Sequence, residues 1–290
     1  MTKQQKQFDF THFYKQYEHC YDYTTKPSQQ FLEWFIGFAE GDGSLFVENS
    51  NKTLGHQSLL FEITLHSSDI HVLHYIKHNL HLGSVSIVKS TGTCRYRLAT
   101  IKAISCLICL FNGNIVVPKF HKRFTLFLEK YNQKITNPLA RQQTKLLPVI
   151  KLIKQLRQPT LFDAWSCGFT DAEGCFYATY DCKYNRWRYY YTIDQKGKDN
   201  SNVLMHFKQL WSAGIVKCTA RADHWYFRVH NLEHNLNHIL PYFKRYSLQT
   251  KKRISFEKWE TILKAISNKN HKNPIVNDRL ITLAKTINKI

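Results

Sequence analysis

The sequence contains one ten-residue pattern twice. The first copy reads WFIGFAEGDG at residues 34–43, and the second reads WSCGFTDAEG at residues 165–174, 131 positions later. Both copies have a tryptophan, a glycine, a phenylalanine, two acids separated by one small residue, and a final glycine in the same order. A pattern that recurs at a fixed offset is typical of a duplicated folding unit.

The duplication extends well beyond the pattern. Arg97 corresponds to Arg228 at the same offset, and Lys122 corresponds to Lys252 at an offset of 130. Each copy predicts an apolar helix that ends at the Gly-acid-Gly turn, two strands, an amphipathic helix, two further strands and two helices. The predicted strands are 44–49, 59–65 and two within 83–98 in the first copy, and 175–180, 186–193 and two within 214–229 in the second. The predicted helices after them are 69–80, 102–111 and one from near 122, and 200–211, 232–243 and one from near 252. We therefore predict an α+β (mixed) chain of two pseudo-symmetric αββαββα halves.

Five segments are expected from this pattern. The first half covers residues 28–136 and the second covers 161–270, with a partly helical linker at 137–160 that carries prolines and basic residues but no acid. Residues 1–27 form a separate, aromatic-rich N-terminal extension, and residues 271–290 form a C-terminal tail.

The charge of the chain restricts its partners. The 290 residues include 41 Lys and Arg against 21 Asp and Glu, which gives a formal net charge of +20. A hydrophobic fraction of 43% and an aromatic fraction of 14% exclude a disordered basic tail. An excess of positive charge on a folded body indicates a polyanion, and nucleic acid is favoured over an anionic membrane surface because the basic residues lie on predicted strands.

Small residues follow a helical spacing inside each pattern. Gly37 and Gly41 lie four residues apart and so share one face of the first helix, and Gly168 and Ala172 repeat this arrangement in the second. Small residues at this spacing allow two helix backbones to approach closely. We expect these faces to form the interface between the two halves.

The acids at the ends of these helices are the candidate catalytic groups. If the helices pack together, Asp42 and Glu173 come side by side, and two neighbouring carboxylates repel each other unless a cation lies between them. A hard divalent ion such as Mg²⁺ suits this arrangement, and paired metals under a basic surface suit phosphodiester hydrolysis. Glu40 and Asp171 lie on another side of each helix, where a supporting role suits them better than ligation.

At this point a family can be named. Residues 35–43 and 166–174 resemble the LAGLIDADG motifs of homing endonucleases, and the resemblance covers residues of about 28 to 270. It implies the single-chain branch, in which a monomer binds a non-palindromic double-stranded DNA target on a saddle formed by two sheets. It also implies Mg²⁺ as the cofactor, with Mn²⁺ or Ca²⁺ able to occupy the same sites. The implied metal ligands are the Asp42 and Glu173 carboxylates and the carbonyl oxygens of Gly41 and Ala172.

The resemblance assigns three further catalytic positions. Lys122 and Lys252 match a basic residue near the start of the last helix of each half, where an ammonium can polarise a phosphate or a water. Gln195 matches a polar position that organises metal-bound water, whereas its counterpart in the first half is Leu65.

Alternating residues on the strands predict a DNA-binding face. Arg186, Arg188 and Tyr190 lie on one side of a strand, while the intervening aromatic residues lie on the other and pack on helices. Basic side chains on such a face can contact guanine edges or phosphates. The remaining predicted contact residues are Arg95, Arg97, Lys217, Thr219, Arg221 and Arg228.

Two functions fit these observations. The first is a metal-dependent, site-specific double-strand DNA endonuclease that supports intron mobility. The alternative is a group I intron maturase, which would bind the host intron RNA with the same fold and would not need the carboxylates. The retained acids in both motifs favour the endonuclease. The composition resembles that of intron products encoded in mitochondria, with chloroplasts as the alternative.

Overall fold

The computed structural model describes residues 8–22, 25–51, 56–138, 144, 146–219 and 223–289. The chain divides into two compact units, Met1–Pro159 and Thr160–Ile290, and each is described by itself. No helix in the described part of the chain is long and apolar enough to cross a membrane.

Unit 1 is built around a four-stranded antiparallel sheet with the order β1-β2-β4-β3. Its strands are β1 (Gly43–Asn51), β2 (His56–His66), β3 (Ser84–Val88) and β4 (Thr93–Leu98). Its helices are α1 (Thr11–Cys20), α2 (Gln29–Asp42), α3 (Ile70–Leu80), α4 (Ile101–Phe111) and α5 (Pro118–Thr136).

Unit 2 repeats this topology with the sheet order β5-β6-β8-β7. Its strands are β5 (Gly174–Asp181), β6 (Arg186–Lys196), β7 (Ile215–Cys218) and β8 (His224–Val229). Its helices are α6 (Trp165–Glu173), α7 (Lys198–Leu210), α8 (Leu232–His234), α9 (Leu240–Arg245), α10 (Lys252–Ser267) and α11 (Pro274–Ala284), with a π-helical turn at Asn235–Ile239. The two sheets confirm the predicted α+β fold of two pseudo-symmetric halves.

The structure differs from the expected elements at two helices. The helix predicted at 232–243 is divided by the π-helical turn, which ends just before Pro241, a residue that cannot donate a backbone hydrogen bond. The last helix of unit 1 begins at Pro118, a residue favoured in the first helical turn, and therefore starts before the predicted position near Lys122.

Each sheet buries one face under helices. Along β4 every second residue is buried, so that Cys94, Tyr96 and Leu98 face the core while Arg95 and Arg97 face away from it. Phe61 on β2, Phe35 on α2 and Phe111 on α4 form an aromatic cluster in unit 1. The equivalent cluster in unit 2 surrounds Phe176 and includes Tyr191, Phe243, Phe256 and Trp259.

The N-terminal segment is part of unit 1 and not a separate extension. Phe13 and Tyr17 lie four residues apart on α1, are fully or almost fully buried, and belong to a helix that packs on α4. Asp9 and Asn114 exchange two hydrogen bonds, from Asp9 N to Asn114 Oδ1 (2.9 Å) and from Asn114 Nδ2 to Asp9 O (2.7 Å). The aromatic residues of this segment therefore contribute to the core of unit 1.

The second part of the expected linker is also fixed to unit 1. Asn132 on α5 accepts a hydrogen bond from Ile150 N at its Oδ1 (3.0 Å) and donates one from its Nδ2 to Ile150 O (2.8 Å). Asn112 makes the same kind of pair with Ile153 N (2.9 Å) and Lys151 O (2.9 Å). Residues 148–160 lack regular secondary structure. In the part of the linker that the structure describes, Thr144 has helical backbone.

The C-terminal tail belongs to unit 2. Helix α11 packs on β5 and α10, and Asn277 accepts a hydrogen bond from Trp187 Nε1 (3.0 Å). Asn288 donates to Phe176 O (2.8 Å), which satisfies a carbonyl on β5, an edge strand of the sheet. The tail thus covers a sheet edge that would otherwise be open to pairing.

Each repeated pattern ends in a close helix-to-strand junction. A Cβ added at Gly43 would lie 2.4 Å from Ala39 O and 2.9 Å from Phe61 Cε2. A Cβ at Gly174 would lie 2.5 Å from Thr170 Cγ2 and 2.9 Å from Thr170 O. The final glycine of the pattern is therefore required because the strand starts directly against the last turn of the helix.

We expect Gly43→Ala to lower the free energy of unfolding by about 3 kcal/mol, because the added methyl group meets a backbone carbonyl that cannot move without disrupting α2. Denaturant unfolding followed by circular dichroism measures this change. The control Ser44→Ala, at the next strand position, should change stability by less than about 0.5 kcal/mol. Equal stability of Gly43→Ala and the wild type would contradict the junction described here.

Candidate functional site

Each unit places one acid at the end of its repeated helix. Asp42 is the last residue of α2 and Glu173 is the last residue of α6, and both side chains are partly exposed. Ser28 caps the start of α2, and its side chain accepts a hydrogen bond from Phe31 N. The last carbonyls of a helix have no intrahelical donors and carry partial negative charge. The two acids therefore lie beside oxygen atoms that favour a cation.

The acid two residues before the terminal acid of each pattern has a supporting role, as predicted. Glu40 is buried, and its Oε1 accepts hydrogen bonds from Val116 N (2.7 Å) and Val117 N (3.2 Å), directly before α5. Asp171 is also buried and accepts from Gln249 N (2.8 Å) and Thr250 N (3.0 Å) before α10. Glu40 therefore connects α2 to the loop before α5, and Asp171 connects α6 to the loop before α10.

Lys252 completes this connection in unit 2. Thr250 Oγ1 donates to Asp171 (2.6 Å) and accepts from Lys252 N (3.2 Å), so that the first residue of α10 is placed by the buried acid. The Lys252 ammonium then returns to α6 and donates to Ala172 O (2.7 Å) and Thr170 O (3.2 Å). The structure thus brings Lys252 to the carbonyl that the family resemblance implied as a metal ligand.

Lys122 has a different setting in unit 1. It lies one turn inside α5, which begins at Pro118, whereas Lys252 is the first residue of α10. The Lys122 side chain is exposed, while that of Lys252 is half-buried. The two lysines are therefore not equivalent in their surroundings.

Gln195 lies on the inward face of β6. Its side chain is buried on the face of β6 that also carries Tyr191 and Ile193, and its Oε1 accepts from Asn200 Nδ2 (3.3 Å) on α7. The contacts of Gln195 in the structure are with Asn200 and the Asp194 carbonyl, and its role in organising water at the end of α6 stays a prediction. Its contacts are those of a residue that fixes the start of α7 on the sheet.

The donor set tests whether a metal fits. Within the described residues there is no group of three or more His, Cys, Asp or Glu side chains that could hold a metal ion. The end of α6 nevertheless attracts a cation, because two of its carbonyl oxygens already bind the Lys252 ammonium. One carboxylate and helix-terminal carbonyl oxygens form a hard donor set of the kind that Mg²⁺ and Ca²⁺ prefer. The residues present therefore fit such an ion.

The outward face of the unit 2 sheet presents an arginine between two tyrosines. The Arg228 guanidinium lies 4.1 Å from the ring centre of Tyr190 and 4.6 Å from that of Tyr226. Tyr190 stacks in turn on Tyr177, with ring centroids 4.6 Å apart. Burial raises the pKa of the Tyr190 hydroxyl, and Arg228 partly opposes this change. The stack orients Arg228 through its aromatic neighbours, as expected for cation–π packing.

The other predicted contact residues of unit 2 lie along the same sheet. Arg186 and Arg188 are exposed on β6, and Arg188 forms an ion pair with Asp181. Lys217 is exposed on β7, and Thr219 follows that strand and hydrogen-bonds His224 O through its backbone N–H (2.8 Å). Arg221 falls outside the described residues.

In unit 1 the predicted arginines share one acid. Glu62 on β2 forms ion pairs with Arg97, with which it is paired in the sheet register, and with Arg95 at 3.8 Å. In unit 2 the corresponding register pair is Thr192 with Arg228. Sequence reasoning missed Glu62 because it considered only the basic residues of each sheet face. The register of β2 with β4 places Glu62 directly beside Arg97 on the same face.

Two more residues at the end of α6 were also missed. Cys175 begins the outward face of β5, and burial raises the pKa of its thiol, while nearby Lys252 and Arg228 act in the opposite direction. Asp194, on the outward face of β6, accepts a hydrogen bond from Thr192 Oγ1 (3.4 Å) and lies near enough to affect the Cys175 thiol. Lys252, Cys175, Asp194 and Arg228 therefore form one polar group beside the end of α6.

A family model for LAGLIDADG endonucleases matches residues 35–131 and again residues 166–263. The matches cover most of the chain and coincide with the two αββαββα repeats. The chain belongs to the LAGLIDADG endonuclease family. The two LAGLIDADG motifs are the helices α2 and α6, and the buried acids Glu40 and Asp171 lie within them.

Fungal relatives share much of the sequence. The chain is 33% identical over 265 residues to a protein named probable intron-encoded endonuclease 4 of Neurospora crassa, a match that covers 90% of this chain and 44% of the relative. It is 25% identical over 193 residues to probable intron-encoded endonuclease Cox1-I1b of Schizosaccharomyces pombe, covering 59% of this chain and 49% of that one. The chain therefore spans less than half of the length of these two relatives.

Solved LAGLIDADG structures have the same fold. The homing endonuclease I-GzeII in complex with its DNA target superposes with a TM-score of 0.72 at 20% identity, covering 88% of this chain and 98% of that one. The meganuclease I-SmaMI bound to uncleaveable DNA gives a TM-score of 0.71 at 18% identity, covering 91% and 99%. Another structure of I-SmaMI, on an uncleaved DNA target in the presence of calcium ions, gives 0.64 at 19% identity, covering 89% and 98%.

We expect Asp171→Asn to lower the free energy of unfolding by about 2 kcal/mol, since the new NH₂ group would face the N–H donors of residues 249 and 250. Hydrogen exchange at the Gln249 and Thr250 amides should accelerate in the variant. The control is Asp278→Asn at an exposed carboxylate, which should change stability by less than about 0.5 kcal/mol. Unchanged exchange at both amides would contradict the supporting role of Asp171.

Proposed function

We propose that this chain is a site-specific DNA endonuclease that hydrolyses phosphodiester bonds in a metal-dependent reaction. The observation that carries the proposal is the duplication of a helix that ends in a partly exposed acid, supported in each copy by a second, buried acid. A role in turn formation alone would not require a repeated pair of acids with separate functions. The family membership and the names of the relatives support the same activity.

We assign the metal ligands to the ends of the two motif helices. The Asp42 and Glu173 carboxylates and the carbonyl oxygens of Gly41 and Ala172 would hold Mg²⁺, and Mn²⁺ or Ca²⁺ could occupy the same positions. When bound, such ions lower the pKa of water and stabilise the leaving oxygen in phosphodiester hydrolysis. The expected close packing of the Gly37, Gly41, Gly168 and Ala172 faces supports this pairing and stays a prediction.

The protein's own cations have two roles in this proposal. Lys122 and Lys252 stabilise negative charge that develops on the phosphate, since an ammonium aimed at an oxyanion lowers the barrier. The arginines on the outward sheet faces bind the DNA, with Arg228 held over the rings of its two tyrosines. A guanidinium stacked between two rings has fixed donors and is suited to a guanine edge, whereas the exposed Lys217 is suited to phosphates.

The biological setting follows from the kind of relative. Proteins named after introns support a role in intron mobility at a long, non-palindromic target, with one chain acting as a monomer because it carries both motifs. Two Schizosaccharomyces pombe relatives are named after cox1 introns, which supports a mitochondrial location.

The proposed activity is tested with DNA that joins the two sequences flanking the intron. We expect wild-type protein with Mg²⁺ to cut both strands, and Asp42→Asn or Glu173→Gln to reduce cleavage by at least about a hundredfold, because each loses a charged metal ligand. Gel shifts in Ca²⁺ should show that both variants still bind the DNA. Glu129→Gln and Asp278→Asn, which remove exposed acids of units 1 and 2, are the matched controls.

Equal cleavage by Asp42→Asn and wild type would reject this catalytic assignment. Splicing of the parent intron that depends on the protein and survives Asp42→Asn, without DNA cleavage, would instead favour the RNA-binding maturase.

Glu62 makes a separate prediction about DNA affinity. Glu62→Gln releases Arg95 and Arg97 from their shared carboxylate, so affinity for non-specific DNA should rise. The slope of log K against log salt should become steeper by about 0.9 for each arginine that gains a phosphate. Fluorescence anisotropy over a salt series measures both quantities. Glu129→Gln removes the same charge elsewhere in unit 1, and an equal change in this control would show that the ion pairs have no special effect.

A further inference from the structure

The Lys252 ammonium occupies the end of the second motif helix in a defined way. Its Nζ donates to Ala172 O at 2.7 Å and to Thr170 O at 3.2 Å. Thr170 O also accepts the hydrogen bond of Gly174 N, which closes the helix. The ammonium therefore supplements the helix cap at Thr170 O and binds Ala172 O with the shorter of its two bonds.

This position is one at which a divalent cation would also bind. Helix-terminal carbonyl oxygens are hard donors with favourable dipole orientation, and the Glu173 carboxylate follows directly in the chain. A metal ion and an ammonium on the same oxygen would be two cations a few ångströms apart, which repel each other strongly at a partly buried site. The two occupants therefore exclude one another.

The Lys252 side chain can leave this position while the Lys252 backbone stays in place. Asp171 and Thr250 hold the start of α10 through the Lys252 backbone N–H, and do not depend on the Lys252 ammonium. The side chain is half-buried and has a flexible four-carbon stem, so rotation about its bonds moves the charge without unfolding the helix.

We infer that the Lys252 ammonium and a divalent cation compete for the Ala172 carbonyl oxygen, so that metal binding releases Lys252 from α6. The functional role of this competition rests on the proposed function, since it assumes a phosphate that the released ammonium can reach. Without metal, the ammonium neutralises the end of the helix and keeps the carbonyls oriented. With metal, the freed ammonium becomes available to the phosphate, which couples cation binding to the delivery of a positive charge.

Lysine reactivity tests the release directly. The full-length protein is treated with a limiting amount of an acylating reagent, with and without Ca²⁺, and labelling of each lysine is measured by mass spectrometry. We expect Ca²⁺ to raise the labelling rate of Lys252 by about threefold or more, because the reagent reaches a released side chain more easily than one held against α6 by two hydrogen bonds. Labelling of Lys258, on the same helix and bonded to Thr286 O, should not change.

Metal affinity supplies the second measurement. Calorimetric titration with Ca²⁺ should show binding at least about tenfold tighter in Lys252→Met than in wild type, since the competing charge-assisted hydrogen bonds are absent. Arg253→Met removes an equal charge from the neighbouring, exposed position and should change the affinity much less. Circular dichroism confirms that both variants are folded.

Three outcomes would overturn the inference. These are constant Lys252 labelling on addition of Ca²⁺, an equal gain in affinity for Lys252→Met and Arg253→Met, and no Ca²⁺ binding to either wild type or Lys252→Met. The proposed function is judged separately by cleavage of the joined flanking DNA. Cleavage by wild type together with constant Lys252 labelling would retain the endonuclease and reject the competition.

Discussion

The hydrogen bonds of two buried carboxylates position the rest of each site. Glu40 and Asp171 are withdrawn from solvent, yet each is satisfied by backbone N–H groups of a loop more than seventy residues away in the sequence. Charge-assisted bonds of this kind are among the stronger polar interactions in a protein, and a buried acid without them would be costly. In unit 1 these bonds fix α2 to the start of α5, and in unit 2 they fix α6 to the start of α10. The exposed acid and the lysine are placed on this rigid frame.

The two units use the same frame with different chemistry on their outward faces. Unit 1 balances two arginines against Glu62, whereas unit 2 has Thr192 at that position and holds Arg228 between aromatic rings. The lysines differ as well, because α5 starts four residues before Lys122 while α10 starts at Lys252. Duplication thus preserved the buried supports and allowed the solvent-facing residues to diverge, which is the pattern expected if each unit contacts a different DNA sequence.

Much of the fold could be predicted because local patterns were strong and were repeated. The order of elements follows from alternation along strands such as β4, from helical spacing in α3, and from the Gly-acid-Gly junctions. The supporting role of Glu40 and Asp171 was also predicted, since both lie on another side of the helix from the terminal acid. The burial of Gln195 was missed because the predicted strand ended at residue 193, whereas β6 continues to Lys196 and keeps Gln195 on the inward face with Tyr191 and Ile193.

Long-range contacts explain the other differences. The aromatic residues of α1 showed no partner in the sequence, although Phe13 and Tyr17 are buried where α1 packs on α4. The ion pairs of Glu62 join residues about thirty-five positions apart through the sheet register, and the Arg228 stack joins β6 to β8. Such contacts arise from strand pairing and cannot be seen in a list of charges along the chain.

The pairing of Asn112 and Asn132 with residues 150–153 has a consequence for how such proteins diversify. The amide side chains of Asn112 and Asn132 bind the segment between the repeats with the kind of hydrogen bonds that a neighbouring strand would make. This segment therefore belongs structurally to the first repeat and should be inherited together with it. An exchange of repeats between related genes that joins the sequences at residue 136 would separate these partners and remove their four hydrogen bonds. A crossover near residue 160 transfers the module whole, so natural chimaeras and engineered ones alike should carry their junctions there.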